Sequence, residues 1–121
     1  MRAQRKILVI DDDEAILEAL GTVLREEGYR VELSTKNGEY VERALQRELP
    51  DLIILDILLS GHDGRKICKK LKSEERTKSI PVMLISAHIT GNEIASEAGA
   101  NAFLAKPFDI GELLDRVAQL L

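Results

Sequence analysis

Short apolar runs alternate with stretches of helical period along the whole chain. Ile7-Leu8-Val9-Ile10 is an unbroken apolar run, as expected of a strand covered on both faces of a parallel sheet. Ile16, Leu20, Val23, Leu24 and Glu27 then fall at helical spacing, and Gly28 stands where a helix C-terminus belongs. Tyr29 to Leu33 alternates polar with apolar residues, which predicts a strand at a sheet edge. Asn37-Gly38 opens a second helix with Val41, Ala44 and Leu45 on its apolar face, and Pro50 interrupts the chain before Leu52-Ile53-Ile54-Leu55. Gly64 begins a helix with Ile67, Cys68 and Leu71 inward and Lys66, Lys69, Lys70 and Lys72 outward. Pro81 precedes Val82-Met83-Leu84-Ile85, and a short helix around Ile94 to Ala98 ends at Gly99. Ala102-Phe103-Leu104 forms a brief fifth strand, and Ile110, Leu113, Leu114, Val117 and Leu121 line the last amphipathic helix.

Strand and helix thus repeat five times, and right-handed crossovers turn that repeat into a parallel sheet covered on both faces. One half-polar edge strand favours an open, doubly wound sheet over a half barrel. No linker, internal repeat or low-complexity tract divides the chain, so residues 1–121 are expected to form one domain. In open sheets of this kind ligands bind beyond the carboxyl ends of the strands, where the strand order reverses.

Those ends carry the chemistry. Strand one runs into Asp11-Asp12-Asp13-Glu14, strand three into Asp56, strand four into Ser86, and strand five leads to Lys106. If strands one and three are neighbours, Asp11, Asp12 and Asp56 converge on one pocket. Two carboxylates about 4 Å apart repel by about 4 kcal/mol at an effective dielectric near 20. Raised pKa values or a bound cation must offset that repulsion. Oxygen-rich, thiol-free surroundings suit Mg²⁺, which takes one or two carboxylates and leaves room for water and phosphate. Lys106 and the Ser86 hydroxyl would then meet phosphoryl oxygens. Taken singly, each residue has a structural reading: Asp13 as the N-cap of the first helix, Ser86 as part of a turn. Their common placement at one end of one sheet favours function.

Composition narrows the picture. Hydrophobic residues make up 45% and charged residues 31% of the 121 residues, the balance of a globular domain. A formal charge of -4 argues against a nucleic-acid surface. The four lysines after Gly64 describe the outer face of a helix rather than a basic patch. The one cysteine, Cys68, has no partner for an intramolecular disulfide and reads as a small buried hydrophobe. Met1 to Arg5 is polar and basic, and the apolar run after it is too short for a signal peptide or membrane span, so a cytoplasmic, membrane-free protein is expected. His62 and His88 have no third ligand at zinc spacing. His88, two positions after Ser86, reads equally as an exposed loop residue or as a tuner of water attack.

Ile-Leu-Val-Ile-Asp11-Asp12-Asp13-Glu14, Pro50-Asp51-Leu-Ile-Ile-Leu-Asp56, Ser86-Ala87 and Lys106-Pro107-Phe108, in this order and spacing, resemble the response-regulator receiver domain of two-component signalling. The resemblance covers almost the whole chain. It implies a flavodoxin-like sheet of order 2-1-3-4-5 and a phosphorelay switch in which Asp56 accepts a phosphoryl group from a histidine kinase or histidine phosphotransfer protein. It implies Mg²⁺ bound by Asp12, Asp56 and the backbone carbonyl of Leu58, with Asp11 assisting through water. It assigns Lys106 and Ser86 to the phosphoryl oxygens, Ser86 and Phe103 to the switch, and a cis peptide to Lys106-Pro107. The signal would pass to an output domain or a downstream protein, with no enzymatic turnover beyond the domain's own phosphotransfer and dephosphorylation. Ser60 departs from the family's usual proline, the stretch from Ser86 to Lys106 is about two residues short, implying a reduced fourth helix, and Phe103 replaces the more common tyrosine. The chain ends on Leu120-Leu121, at or just after the last helix, which suits a segment excised from a longer regulator or kinase.

Two other functions compete. A Mg²⁺-dependent phosphatase of haloacid-dehalogenase type also carries Asp-x-Asp after strand one and later a Ser/Thr and a Lys. Here Ala15 stands where that family usually has Thr or Val, no acidic pair follows Lys106, and there is no cap domain. Phosphorylation of Asp56 marks the switch, and of Asp11 the phosphatase. A receiver-like interaction module that is never phosphorylated would not need the intact acidic set. Nucleotide or flavin binding lacks its Gly-rich loop after strand one.

Overall fold

A computed structural model describes residues 4–35, 38–59, 62–87 and 96–121. The chain runs β1 (Lys6–Ile10), α1 (Glu14–Glu26), β2 (Arg30–Ser34), α2 (Gly38–Arg47), β3 (Leu52–Asp56), β4 (Leu58–Leu59), β5 (His62–Asp63), α3 (Gly64–Ser73), β6 (Val82–Ser86), β7 (Ala102–Ala105) and α4 (Ile110–Leu120). Five strands form one parallel sheet in the order β2-β1-β3-β6-β7, which is 2-1-3-4-5 when the main strands alone are counted. The expected doubly wound fold is therefore observed, with the order reversing between β1 and β3.

Burial explains why the apolar runs are continuous. β3 and β6 are buried at every position, because alternate side chains enter different cores. On one face Leu8, Ile10, Ile53, Leu55, Val82 and Leu84 pack with residues of α2 and α3. On the other face Ile7, Val9, Ile54, Met83 and Ile85 pack with α1 and α4. β2 is the half-exposed edge that its alternating sequence predicts.

Asp51 fixes the register that matters most. Its N–H donates to the Lys6 carbonyl at 2.7 Å, and its carboxylate accepts the Lys6 N–H at 2.8 Å. With Ile7 opposite Leu52 and Ile10 opposite Leu55, β1 and β3 end side by side.

Two expectations change, and one further element emerges. The buried stripe of α1 is Leu17, Leu20, Gly21 and Leu24, while Glu27 is the exposed C-cap and Gly28, at φ 94°, takes the left-handed step that ends the helix. The outward face of α3 holds Lys66, Lys69 and Lys70, but Lys72 is half-buried and donates to the Ile80 carbonyl at 2.7 Å. Burial pushes the Lys72 ammonium below the ordinary lysine range. The loop after Asp56 contains a two-stranded antiparallel pair, Leu58 opposite Asp63 and Leu59 opposite His62. Ser60, His88 and most of the short helix around Ile94 lie outside the described residues; Ser96 and Glu97 are helical, and Gly99 ends that turn at φ 82°.

Candidate functional site

Four of the five strands of the sheet, β1, β3, β6 and β7, end at residues of the site. Beyond β1, the Asp11 N–H still donates to the Ser34 carbonyl of β2 at 3.1 Å, so residue 11 keeps the direction of the sheet. Its carboxylate is almost wholly buried, at 1% exposure. One oxygen accepts the Asp13 N–H at 2.9 Å and the other accepts Lys106 Nζ at 2.9 Å. Asp56 is the last residue of β3, opposite Ile85 of β6, and its carboxylate accepts the same Nζ at 2.9 Å. Asp11, Asp56 and Lys106 thus meet as the sequence predicts.

Lys106 reaches them because its backbone is anchored. Its N–H donates to the Ser86 carbonyl at 2.9 Å, continuing the β6–β7 ladder by one step, and the Lys106-Pro107 peptide is cis. Burial alone would lower the lysine pKa. The hydrogen bonds and charges of Asp11 and Asp56 outweigh it and hold the ammonium above the ordinary lysine value. The lysine is therefore held as a cation between two buried carboxylates at neutral pH.

The other predicted residues lie at different depths in the fold. Ser86 is fully buried at the end of β6. Asp12 is exposed beside the buried Asp11. Asp13 is the α1 N-cap, accepting from the N–H groups of Ala15 at 2.9 Å and Ile16 at 3.3 Å, so its structural reading holds. Leu58 lies two residues past Asp56 in β4. Phe103 stands opposite Leu84 on the edge strand β7, half-buried against the α2–α3 core, and its carbonyl accepts from Arg116 of α4 at 3.1 Å.

The donors fit a hard divalent cation. They are carboxylate and carbonyl oxygens, while the thiol of Cys68 is buried in the core, pushed up in pKa by burial and hydrogen-bonded to the Ala98 carbonyl. Among the described residues no three His, Cys, Asp or Glu side chains form a ready cage. Mg²⁺ needs none, since one or two carboxylates with water and phosphate complete its shell.

Sequence reasoning missed two features. An open apolar groove of about 370 Å³, lined by residues including Ile16, Ala19, Ala87, Pro107, Phe108 and Ile110, borders the site and shares Lys106 with it. Its lining comes from three separated segments, so no local pattern announces it. The second is the tight seat of Gly64 on the backbone next to Asp56. The Asp63-Gly64 pair signals a helix start but not what the glycine touches.

Comparison with known proteins decides the family. The model of the response regulator receiver domain matches residues 7–118. This chain is a response regulator receiver domain. Over 118 residues it is 39% identical to the DNA-binding dual master transcriptional regulator RpaA of Synechocystis sp., covering 96% of this chain and 48% of that protein. Over 117 residues the receiver domain is 41% identical to the response regulator PleD of Caulobacter vibrioides, covering 95% of this chain and 26% of PleD. It therefore spans about half of the one relative and a quarter of the other. Among solved structures, a putative response regulator from Chloroflexus aurantiacus superposes with a TM-score of 0.92 at 37% identity, covering 98% of both chains. The chemotaxis response regulator CheY4 of Vibrio cholerae, at 24% identity and a TM-score of 0.89 over 98% of this chain and all of its own, shares the fold. No helix among the described residues is long and apolar enough to cross a membrane.

Proposed function

We propose that this receiver domain is a phosphorylation-controlled switch whose phosphoacceptor is Asp56. One observation carries the reading: the Lys106 ammonium sits 2.9 Å from both the Asp56 and the Asp11 carboxylates at the switch point of the sheet. A carboxylate oxygen of Asp56 attacks the phosphorus of a phosphohistidine as the P–N bond breaks. The electron pair leaves with the imidazole nitrogen, and an acyl phosphate remains on Asp56. Lys106, held protonated, meets the charge on the phosphoryl oxygens, and the Ser86 hydroxyl hydrogen-bonds them. Mg²⁺, held by Asp12, Asp56 and the Leu58 carbonyl with Asp11 in support, would neutralise further phosphoryl charge. The domain catalyses only its own phosphotransfer and dephosphorylation.

Burial favours Asp56 over Asp11 as nucleophile. The Asp11 side chain is 1% exposed, against 10% for Asp56. That ordering disfavours the phosphatase alternative, in which Asp11 would be phosphorylated.

The apolar groove beside Lys106 supplies a place for the donor. It is lined almost wholly by apolar side chains, so it suits a helix with an apolar stripe, as a histidine kinase or phosphotransfer protein would present. Output, in turn, would be altered binding to an attached domain or a separate protein.

Labelling with phosphoramidate or acetyl phosphate, followed by reductive trapping and mass spectrometry, locates the phosphoryl group. The expected site is Asp56, with no label in Asp56→Asn. Full labelling of that variant, or label on Asp11, would overturn the assignment.

A further inference from the structure

The residue after Asp56 is held from two sides. The Ile57 N–H donates to the Ile85 carbonyl of β6 at 3.0 Å, and the Ile57 carbonyl accepts the Gly64 N–H of α3 at 2.8 Å. Between those bonds the buried Gly64 lies directly on the backbone of Asp56 and Ile57. A β-carbon on Gly64 would run into the Asp56 carbonyl oxygen and come within 2.8 Å of Ile57 Cα and 3.0 Å of the Asp56 carbonyl carbon. These are backbone atoms of a fully paired strand end, so they cannot rotate aside as a side chain would. The two-stranded pairing of Leu58 with Asp63 closes the same loop, and Asp63 caps α3 by accepting the Arg65 N–H at 2.9 Å.

We infer that Gly64 is a positioning residue for the phosphoryl site: its missing side chain lets α3 dock on the Asp56–Ile57 backbone and so sets the aim of both the Asp56 carboxylate and the Leu58 carbonyl. The inference rests on the proposed roles of those two groups in binding Mg²⁺. Glycine is required here by close approach, not by backbone angles, since φ is positive only at Gly28 and Gly99 among the described glycines. A ligand set displaced by a few tenths of an ångström loses affinity even when every ligand remains, much as loss of a supporting hydrogen bond does.

Gly21 provides the control. A β-carbon there would meet the Leu33 side chain at 3.1 Å, on α1 and away from the acidic pocket. Mg²⁺ titration of wild type, Gly64→Ala and Gly21→Ala, with unfolding followed in parallel, separates positioning from stability. Gly64→Ala is expected to bind Mg²⁺ about tenfold more weakly, whereas Gly21→Ala binds as wild type even if it is less stable. Equal affinity in folded Gly64→Ala overturns the inference. If Gly64→Ala does not fold, hydrogen exchange of the Gly64 amide in the wild type decides instead. Mg²⁺ is expected to slow it, because ordering the Asp56–Leu58 backbone tightens its bond to Ile57, and an unchanged rate overturns the inference. A wild type that binds no Mg²⁺ refutes the metal site itself, and the role of Gly64 falls with it.

Discussion

Lys106 donates to the Asp56 carboxylate at 2.9 Å although fifty positions separate them in the chain. The same nitrogen donates to Asp11 at 2.9 Å, so one ammonium serves two buried carboxylates. Removing either partner from such a cluster leaves an uncompensated buried charge, which costs far more than the pair contributes when intact. A lysine suits this position because a compact charge on a flexible stem can move from carboxylate to phosphoryl oxygen without leaving the pocket. Under the proposed function, the counterion of the two carboxylates and the cation that meets the phosphoryl oxygens would be the same group.

The first prediction concerns alkaline pH. The folded-state pKa of Lys106 lies above the ordinary value of 10.5, so the folded protein binds this proton more tightly than the unfolded chain. Its stabilisation is complete below the unfolded value and is lost as pH rises through the folded one. Denaturant unfolding from pH 8 upward should show stability falling above about 10.5, and Lys106→Met should lack that component of the fall. Parallel pH profiles for the two proteins would contradict the coupling.

The second concerns the cation. Asp12→Ala should abolish Mg²⁺ binding, because it removes an exposed carboxylate without disturbing the buried pair. Asp11→Asn should weaken binding and also lower stability, because Asp11 accepts from both Lys106 and the Asp13 N–H. Titrations that leave both variants at wild-type affinity would remove these residues from the metal site.

The sheet was legible because burial on two faces leaves an unmistakable mark. Val82 to Ile85 cannot be soluble unless something covers both sides, and the placement of Asp56, Ser86 and Lys106 at strand ends follows from that. Local rules also found Gly28 and the Asp13 cap. They erred on α1, where Glu27 continued the period of Leu20 and Leu24 but the helix had already ended. Lys72 was misplaced because its ammonium reaches back to Ile80 while its stem covers Gly99, and helical spacing carries no trace of a loop folding back. Contacts between distant segments, such as Arg116 with the Phe103 carbonyl, depend on where two elements end up, and neither element states that in its own residues.

The third prediction separates docking from chemistry. Ile110 is 42% exposed on the rim of the apolar groove, at the start of α4. Ile110→Glu should slow transfer from a phosphorylated histidine donor protein by about tenfold or more, the loss of one interface anchor worth over 1 kcal/mol. Acetyl phosphate, which needs no docking surface, should label Asp56 in this variant at the wild-type rate. Equal slowing with both donors would mean that the substitution had damaged the site rather than the groove.

The fourth prediction concerns how the site signals. Phe103 is half-buried against the core formed by β6, α3 and their neighbours, while Arg116 holds its carbonyl from the opposite helix at 3.1 Å. The strand is therefore anchored and the ring is the part that can move. Full burial of a phenylalanine is worth about 1.5–3 kcal/mol, so burying the remaining half would gain about 1 kcal/mol. That is roughly a fivefold bias toward the inward ring wherever space for it is open. Drawing the Ser86 hydroxyl toward a phosphoryl group on Asp56 would vacate space beside β7 and tip the balance inward. NMR of the Phe103 ring with and without beryllofluoride should show it moving to a more buried environment, with the Arg116 guanidinium signals unchanged. A ring that ignores beryllofluoride while Asp56 binds it would exclude Phe103 from the switch and leave it as an ordinary edge-strand contact of the core.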